Sequence, residues 1–196
     1  MFRRFNVHSV VDDLDRVGAV SLPLLFHDWA RLWLVEEAVR CSYTKRESLV
    51  RPSGVYQEVS GIDNEFPTGS RFHLFRNEWQ KFLTEHLVEW GYQELFSKPL
   101  EFNDLSLQQY EAGSKGISPH LDHRDYINLI CIFSLIGTCR FYICKDRKGN
   151  EPISLNADPG SVIFMRAPGF KGSDYRPFHA VRDIPDVRIS FSLRQK

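Results

Sequence analysis

Val187-Arg188-Ile189-Ser190-Phe191-Ser192-Leu193-Arg194 alternates without a break. The odd positions are apolar and the even ones are Arg, Ser, Ser, Arg. A period of two marks a strand with one greasy and one polar face. If the greasy face packs under helices, the polar face points into a sandwich. Two inward guanidinium groups are costly unless an anion meets them. Arginine is well shaped to grip a carboxylate in a bidentate fork. The competing reading is an edge strand with both arginines in water, a stronger alternative for Arg194 than for Arg188.

The segments upstream repeat the strand signal. Phe102–Ala112, Tyr126–Ile136, Cys139–Lys145, Ile153–Asn156, Ser161–Met165, Phe178–Ile184 and Val187–Leu193 are short and rich in branched and aromatic residues. Turn chemistry separates them, as in Ile136-Gly137-Thr138, Asp146-Arg147-Lys148-Gly149-Asn150 and Asp158-Pro159-Gly160-Ser161. The first hundred residues read differently. Phe26, Trp29, Leu32, Trp33, Val35, Glu36 and Val39 follow helical spacing, with Asp28, Arg31 and Glu37 among the polar positions. Trp79, Phe82, Leu83, Leu87 and Trp90 do the same, with Asn77 as N-cap and Gly91 as stop. The tryptophans read as core stripes. Ser48–Thr68, with Pro52, Gly54, Gly61 and Pro67, reads as a strand with a mobile loop. The expected class is α+β, mainly β: a jelly roll with N-terminal helices packed on one sheet. Nothing in the composition divides the 196 residues, so one domain is expected. Residues 1–100 then give helical support and substrate-side elements, and 101–196 the jelly-roll core.

Twenty-five basic and twenty-five acidic residues cancel. That balance weighs against tight, non-specific binding to nucleic acid. Arg3, Arg4, Lys45, Arg46 and Arg51 read as a solvated face. Cys41, Cys131, Cys139 and Cys144 form no Cys-x-x-Cys pair, so neither a disulfide scaffold nor a structural zinc site is expected. No signal peptide or membrane-length apolar run is visible, and the expectation is a soluble, cytoplasmic protein.

His120-Leu121-Asp122 carries the chemistry. On an extended segment His120 and Asp122 project to the same side. Alone, His-x-Asp is common and usually marks a solvated turn. His179, at the start of a strand, is the best third partner. Two imidazoles and one carboxylate on one face of a metal leave three positions open, which suits non-haem Fe(II) and oxygen activation. His123 competes, either as an alternative ligand or as a residue behind the ligands.

Taken together, His120-Leu121-Asp122, His179, Arg188 and Ser190 resemble the pattern of the Fe(II)/2-oxoglutarate-dependent dioxygenases. The match runs from about Phe102 to Arg194, roughly half the chain. Asp158-Pro159-Gly160-Ser161-Val162-Ile163-Phe164 is similar to the turn and strand ahead of the family's distal histidine. Gln108, Tyr110 and Gly113 before His120, and Arg194 after Arg188, resemble the AlkB-like branch most, with Gln108 where that branch usually has Asn.

The resemblance implies a double-stranded β-helix. It implies Fe(II) on His120, Asp122 and His179, with 2-oxoglutarate and O2 as cosubstrates. It also implies 2-oxoglutarate held by Arg188, with Ser190, Arg194, Tyr110 and Gln108 as further contacts. The activity implied is oxidative decarboxylation coupled to hydroxylation, or another oxidation, of a C–H bond. Asp122 is present, so halogenation is disfavoured. A small-molecule substrate is the leading expectation. An AlkB-like nucleic-acid demethylase, which needs a pocket for a flipped base, and a non-catalytic jelly-roll binding protein are the alternatives. Arg124, Arg140, Arg166 and Arg176 are candidates to place positive charge near the site, which would favour an acidic or amino-acid substrate.

Overall fold

A computed structural model describes residues 1–196. The chain runs α1 (Val7–Arg16), β1 (Ala19–Leu22), α2 (Asp28–Ala38), β2 (Thr44–Lys45), β3 (Leu49–Val50), β4 (Tyr56–Glu58), β5 (Gly61–Asp63), α3 (Arg71–Glu89), β6 (Asp104–Tyr110) and β7 (Gly116–His120). It continues through β8 (Ile127–Ile136), β9 (Arg140–Cys144), β10 (Ile153–Leu155), β11 (Val162–Arg166), β12 (Phe178–Arg182) and β13 (Arg188–Gln195). One sheet has seven strands in the order β1-β11-β8-β13-β6-β5-β2. The other has six, in the order β10-β9-β12-β7-β4-β3.

The strand β8 explains the layering. Its sequence, Ile127-Asn128-Leu129-Ile130-Cys131-Ile132-Phe133-Ser134-Leu135-Ile136, is apolar on both faces, as a strand covered on both sides should be. Leu129, Cys131, Phe133 and Leu135 face the helices, where they join Ile189, Phe191 and Leu193 of β13. Ile130 and Ile132 face the second sheet, with Ile163, Met165, Phe141 and Val181. The buried apolar residues of β8 therefore divide between two cores according to their parity.

The helical layer is aromatic. Trp79 of α3 is fully buried, with its ring 5.1 Å from Phe133 and 5.8 Å from Phe164. Phe72 lies 4.8 Å from Phe191, and Phe75 lies 4.9 Å from Phe133. Edge and tilted pairings of this kind are favoured by the ring quadrupoles. The apolar face of β13 thus packs under helices, as its alternation predicts.

The N-terminal part differs from its reading in four ways. Helix α3 starts at Arg71, not after Asn77, because Phe72 and Phe75 extend the apolar stripe. Ser70 caps it, its hydroxyl accepting from the Phe72 amide at 3.1 Å. Helix α1 was not read, although Val7, Val10, Val11 and Leu14 have helical spacing and Asn6 accepts from the Ser9 amide at 3.1 Å. Trp29 and Leu32 are exposed rather than core, because α2 buries Ala30, Leu34 and Ala38 instead. Finally, residues 44–63 form four short strands, not one. They extend both sheets, so the first hundred residues are not only helical support.

Candidate active site

Strands β7 and β12 bring the two histidines together. His120 and His179 are direct partners in an antiparallel ladder, and the register shifts just beyond, between His179 and Val181. Asp122 follows His120 by two residues and leans the same way. One ligand atom from each of His120, Asp122 and His179 lies within 4.8 Å of the others. His179 Nε2 is 3.7 Å from Asp122 Oδ2.

Both imidazoles are oriented by backbone. His120 Nδ1 lies 3.0 Å from the Ser118 carbonyl, and His179 Nδ1 lies 3.3 Å from that of Pro177. A carbonyl only accepts, so each Nδ1 carries the proton and each Nε2 keeps a free lone pair. Second-contact hydrogen bonds of this type fix the tautomer of metal-binding histidines. Phe141 stacks on the His179 ring at 5.8 Å and 12°. Burial, and then the neighbouring His179, push the His120 imidazole down to about 4. It is neutral, as a ligand must be, across the physiological range. Burial would raise the Asp122 carboxyl, but His179, His120, Arg194 and Arg176 outweigh it and hold it below the usual range.

His123 is not part of this cluster. Its side chain is 71% exposed and pairs with Asp125 at 3.2 Å.

A narrow cavity of about 50 Å³ adjoins the three residues, large enough for several water-sized groups. Gln108, Tyr110, Arg188, Ser190 and Arg194 all line it. Arg188 is 1% exposed. Its Nη1 donates to Ser190 Oγ at 3.0 Å, while Nε and Nη2 have no partner. The guanidinium lies 5.5 Å over the Tyr110 ring. The Tyr110 hydroxyl donates to Gln108 Oε1 at 3.1 Å, and burial pushes its phenol up to about 12, so it stays a donor. Arg194 reaches the same cavity but is matched there by Asp104 and the Tyr126 hydroxyl, each at 3.1 Å.

The residues fit the groups that such a site takes. A neutral-imidazole and carboxylate set of two nitrogens and one oxygen suits a divalent transition metal with open positions. A buried arginine with a free Nε–Nη2 edge has the geometry of a carboxylate receptor.

The arginines noted from sequence separate clearly. Arg140 is half exposed and lies 3.8 Å from Asp183, at the end of β12 remote from His179. Arg124 is exposed and in no ion pair. Arg166 and Arg176 lie beside Asp122 and His179, in a second, smaller recess. Their charge was visible in the sequence. The direction of Arg176 was not, because the loop between β11 and β12 has no period.

Two antiparallel sheets in this order, with three helices on one face, form a double-stranded β-helix. The fold matches that of a prolyl-4-hydroxylase from Pseudomonas putida, with a TM-score of 0.65 and 14% identity over 96% of this chain and 98% of that one. A 2OG-Fe(II) oxygenase family oxidoreductase from Burkholderia pseudomallei matches with a TM-score of 0.64 and 14% identity, over 99% and 91% of the two chains. The α-ketoglutarate-dependent epimerase SnoN of nogalamycin biosynthesis matches with a TM-score of 0.66 and 15% identity, over 96% and 82%. Neither a family model nor a curated protein sequence matches the chain.

Proposed function

We propose that the chain is an Fe(II)- and 2-oxoglutarate-dependent dioxygenase that hydroxylates, or otherwise oxidises, a C–H bond of a small molecule. The observation that carries this reading is Arg188. A nearly fully buried guanidinium with two unpartnered N–H groups is expensive to maintain. It faces the cavity shared with His120, Asp122 and His179. A dicarboxylate with one end at the metal and the other at Arg188 satisfies both.

In this reading His120, Asp122 and His179 hold iron, and iron with 2-oxoglutarate supplies dioxygen activation coupled to loss of carbon dioxide from the keto acid. Arg188 receives the distal carboxylate through Nε and Nη2, while Ser190 holds Nη1 and fixes the plane of the fork. Tyr110 is the neutral donor beside it. Ile130, Ile132, Phe141 and Val181 give the cavity an apolar wall that limits water around the reacting groups. Gln108, Tyr110 and Arg194, all lining the same cavity, support the AlkB-like reading of the cosubstrate contacts. The ion pair with Asp104 makes Arg194 a wall and an orienting charge rather than the main receptor.

Strands β6, β8 and β11 each contribute residues to both cores. We therefore read the chain as one functional unit. Its four cysteines are free thiols, which agrees with a cytoplasmic location, and no helix is long and apolar enough to cross a membrane.

The test is turnover of 2-oxoglutarate to succinate with Fe(II) and O2, alone and against a metabolite library, with products read by mass. Absence of both turnover and binding of the inert isostere N-oxalylglycine would overturn the proposal.

A further inference from the structure

We infer that the primary substrate carries a carboxylate, and that Arg176 is the residue that receives it. The inference rests on the dioxygenase reading and deepens it.

Asp122 and His179 line two recesses. One leads to Arg188. The other is bounded by Tyr126, Met165, Arg166 and Arg176. If a dicarboxylate fills the first, the second, about 10 Å³ in this structure and so the size of roughly one water, is the other approach to the metal and must widen to admit a substrate.

The charges divide unevenly between them. In the loaded first recess, the negative charges of the dicarboxylate and of Asp122 cancel those of a divalent metal and Arg188. Arg194 shares Asp104 with Lys196, at 3.1 and 2.5 Å. Arg166 shares Asp15 with Lys171, at 3.3 and 2.7 Å, and is clasped between the rings of Phe170 and Tyr175, at 4.8 and 5.2 Å. Arg176 forms no ion pair with any carboxylate side chain. Its Nη1 donates to the backbone carbonyl of Asp122. That bond ties the guanidinium to the metal-binding segment and leaves the rest of its donors unused and open to solvent.

One free guanidinium edge matches the two oxygens of a carboxylate. The anchor is half-buried, where an ion pair is screened less than at the open surface. Arg176 is also three residues before His179, so the bound anion is placed at a fixed distance from the metal by a short, anchored segment. Specificity then follows from how far the reactive C–H bond lies from that carboxylate.

The experiment uses Mn(II)-loaded protein saturated with N-oxalylglycine. The probes are N-acetyl amino acids and the corresponding primary amides, read by paramagnetic relaxation of their protons. Acids, and not amides, are expected to show relaxation near the metal. Arg176→Gln is expected to weaken acid binding at least tenfold, and Arg176→Lys to restore part of it. Affinity for N-oxalylglycine should stay within about threefold in both variants. Equal behaviour of acids and amides, no binding by any acid, or unchanged acid binding by Arg176→Gln would overturn the assignment. Loss of N-oxalylglycine binding in the variant would assign Arg176 to the shape of the metal site instead. Failure of the wild-type protein to bind N-oxalylglycine would count against the dioxygenase reading itself, and so is distinguishable.

Discussion

His179 on β12 stands directly opposite His120 on β7, with ring centroids 4.2 Å apart. The distance between the two histidines proposed to bind metal is therefore set by a backbone ladder, not by a flexible loop. Disturbing that ladder anywhere near the pair should disturb the metal.

Gly116 tests this without touching a ligand. It begins β7 with φ +67°, and a Cβ there would overlap the Val181 carbonyl on β12. Gly116→Ala is expected to push the strands apart and lower Mn(II) affinity by about tenfold or more, a loss of the size seen when groups supporting a ligand are removed. Gly113 has φ +79° but open space around it, so Gly113→Ala should cost only about 1 kcal/mol of stability. Calorimetric Mn(II) titration and thermal melts of both variants check the contrast.

His179 and His123 should behave oppositely. If His179 is a direct ligand, as proposed, His179→Ala should lower metal affinity beyond the roughly 10–100-fold typical of supporting residues. His123→Ala, at an exposed side chain paired only with Asp125, should leave it unchanged. Equal losses in the two titrations would place His123 in the ligand set.

Arg188→Met should separate stability from function. It removes a buried charge with two unsatisfied N–H groups and keeps most of the volume. Replacing buried charge by a packed apolar chain is often neutral or stabilising by about 1–4 kcal/mol. The metal-free variant is thus expected to melt no lower than the wild type. N-oxalylglycine binding should become undetectable by calorimetry. A variant that melts much lower would show that Arg188 Nε and Nη2 have partners within the fold.

The metal-free protein should lose stability in mildly acidic solution. Folding lowers the His120 imidazole from 6.5 to about 4, chiefly through burial. Between those values the unfolded chain binds a proton that the native state refuses, so stability rises with pH there. The contribution is complete above pH 6.5 and is lost as pH falls through about 4. Asp122, held below 3.8, adds a loss of the same sign at still lower pH. Denaturant unfolding across this range should show the slope in wild type and a shallower one in His120→Gln.

Much of this protein was legible in its residues. The alternation of Val187–Arg194 announced a strand between two unlike layers, and the structure places Ile189, Phe191 and Leu193 under helices and Arg188 and Ser190 inside. The period survived because β13 is covered on both faces, so every residue is under constraint. His120, Asp122 and His179 were legible as types and as a spacing. The poorest reading fell on residues 44–63, where strands of two or three residues are too short to show a period. Trp29 misled for a related reason: three turns of helix carry apolar residues on more than one side, and only packing selects the side that is buried.

The sequence by itself determined the local periods of α2, of most of α3 and of the strands after residue 100, and the inventory of candidate ligand and anion-binding groups. Those depend on each residue and its near neighbours. The tertiary structure alone decided that His179 faces His120 across a ladder, that Arg188 is left with two free donors, and that Arg176, not Arg140 or Arg124, lies beside Asp122. Each of these is a meeting of segments distant in the chain. Such meetings are fixed by strand register and by which charges find partners on folding, and neither is encoded in any single stretch.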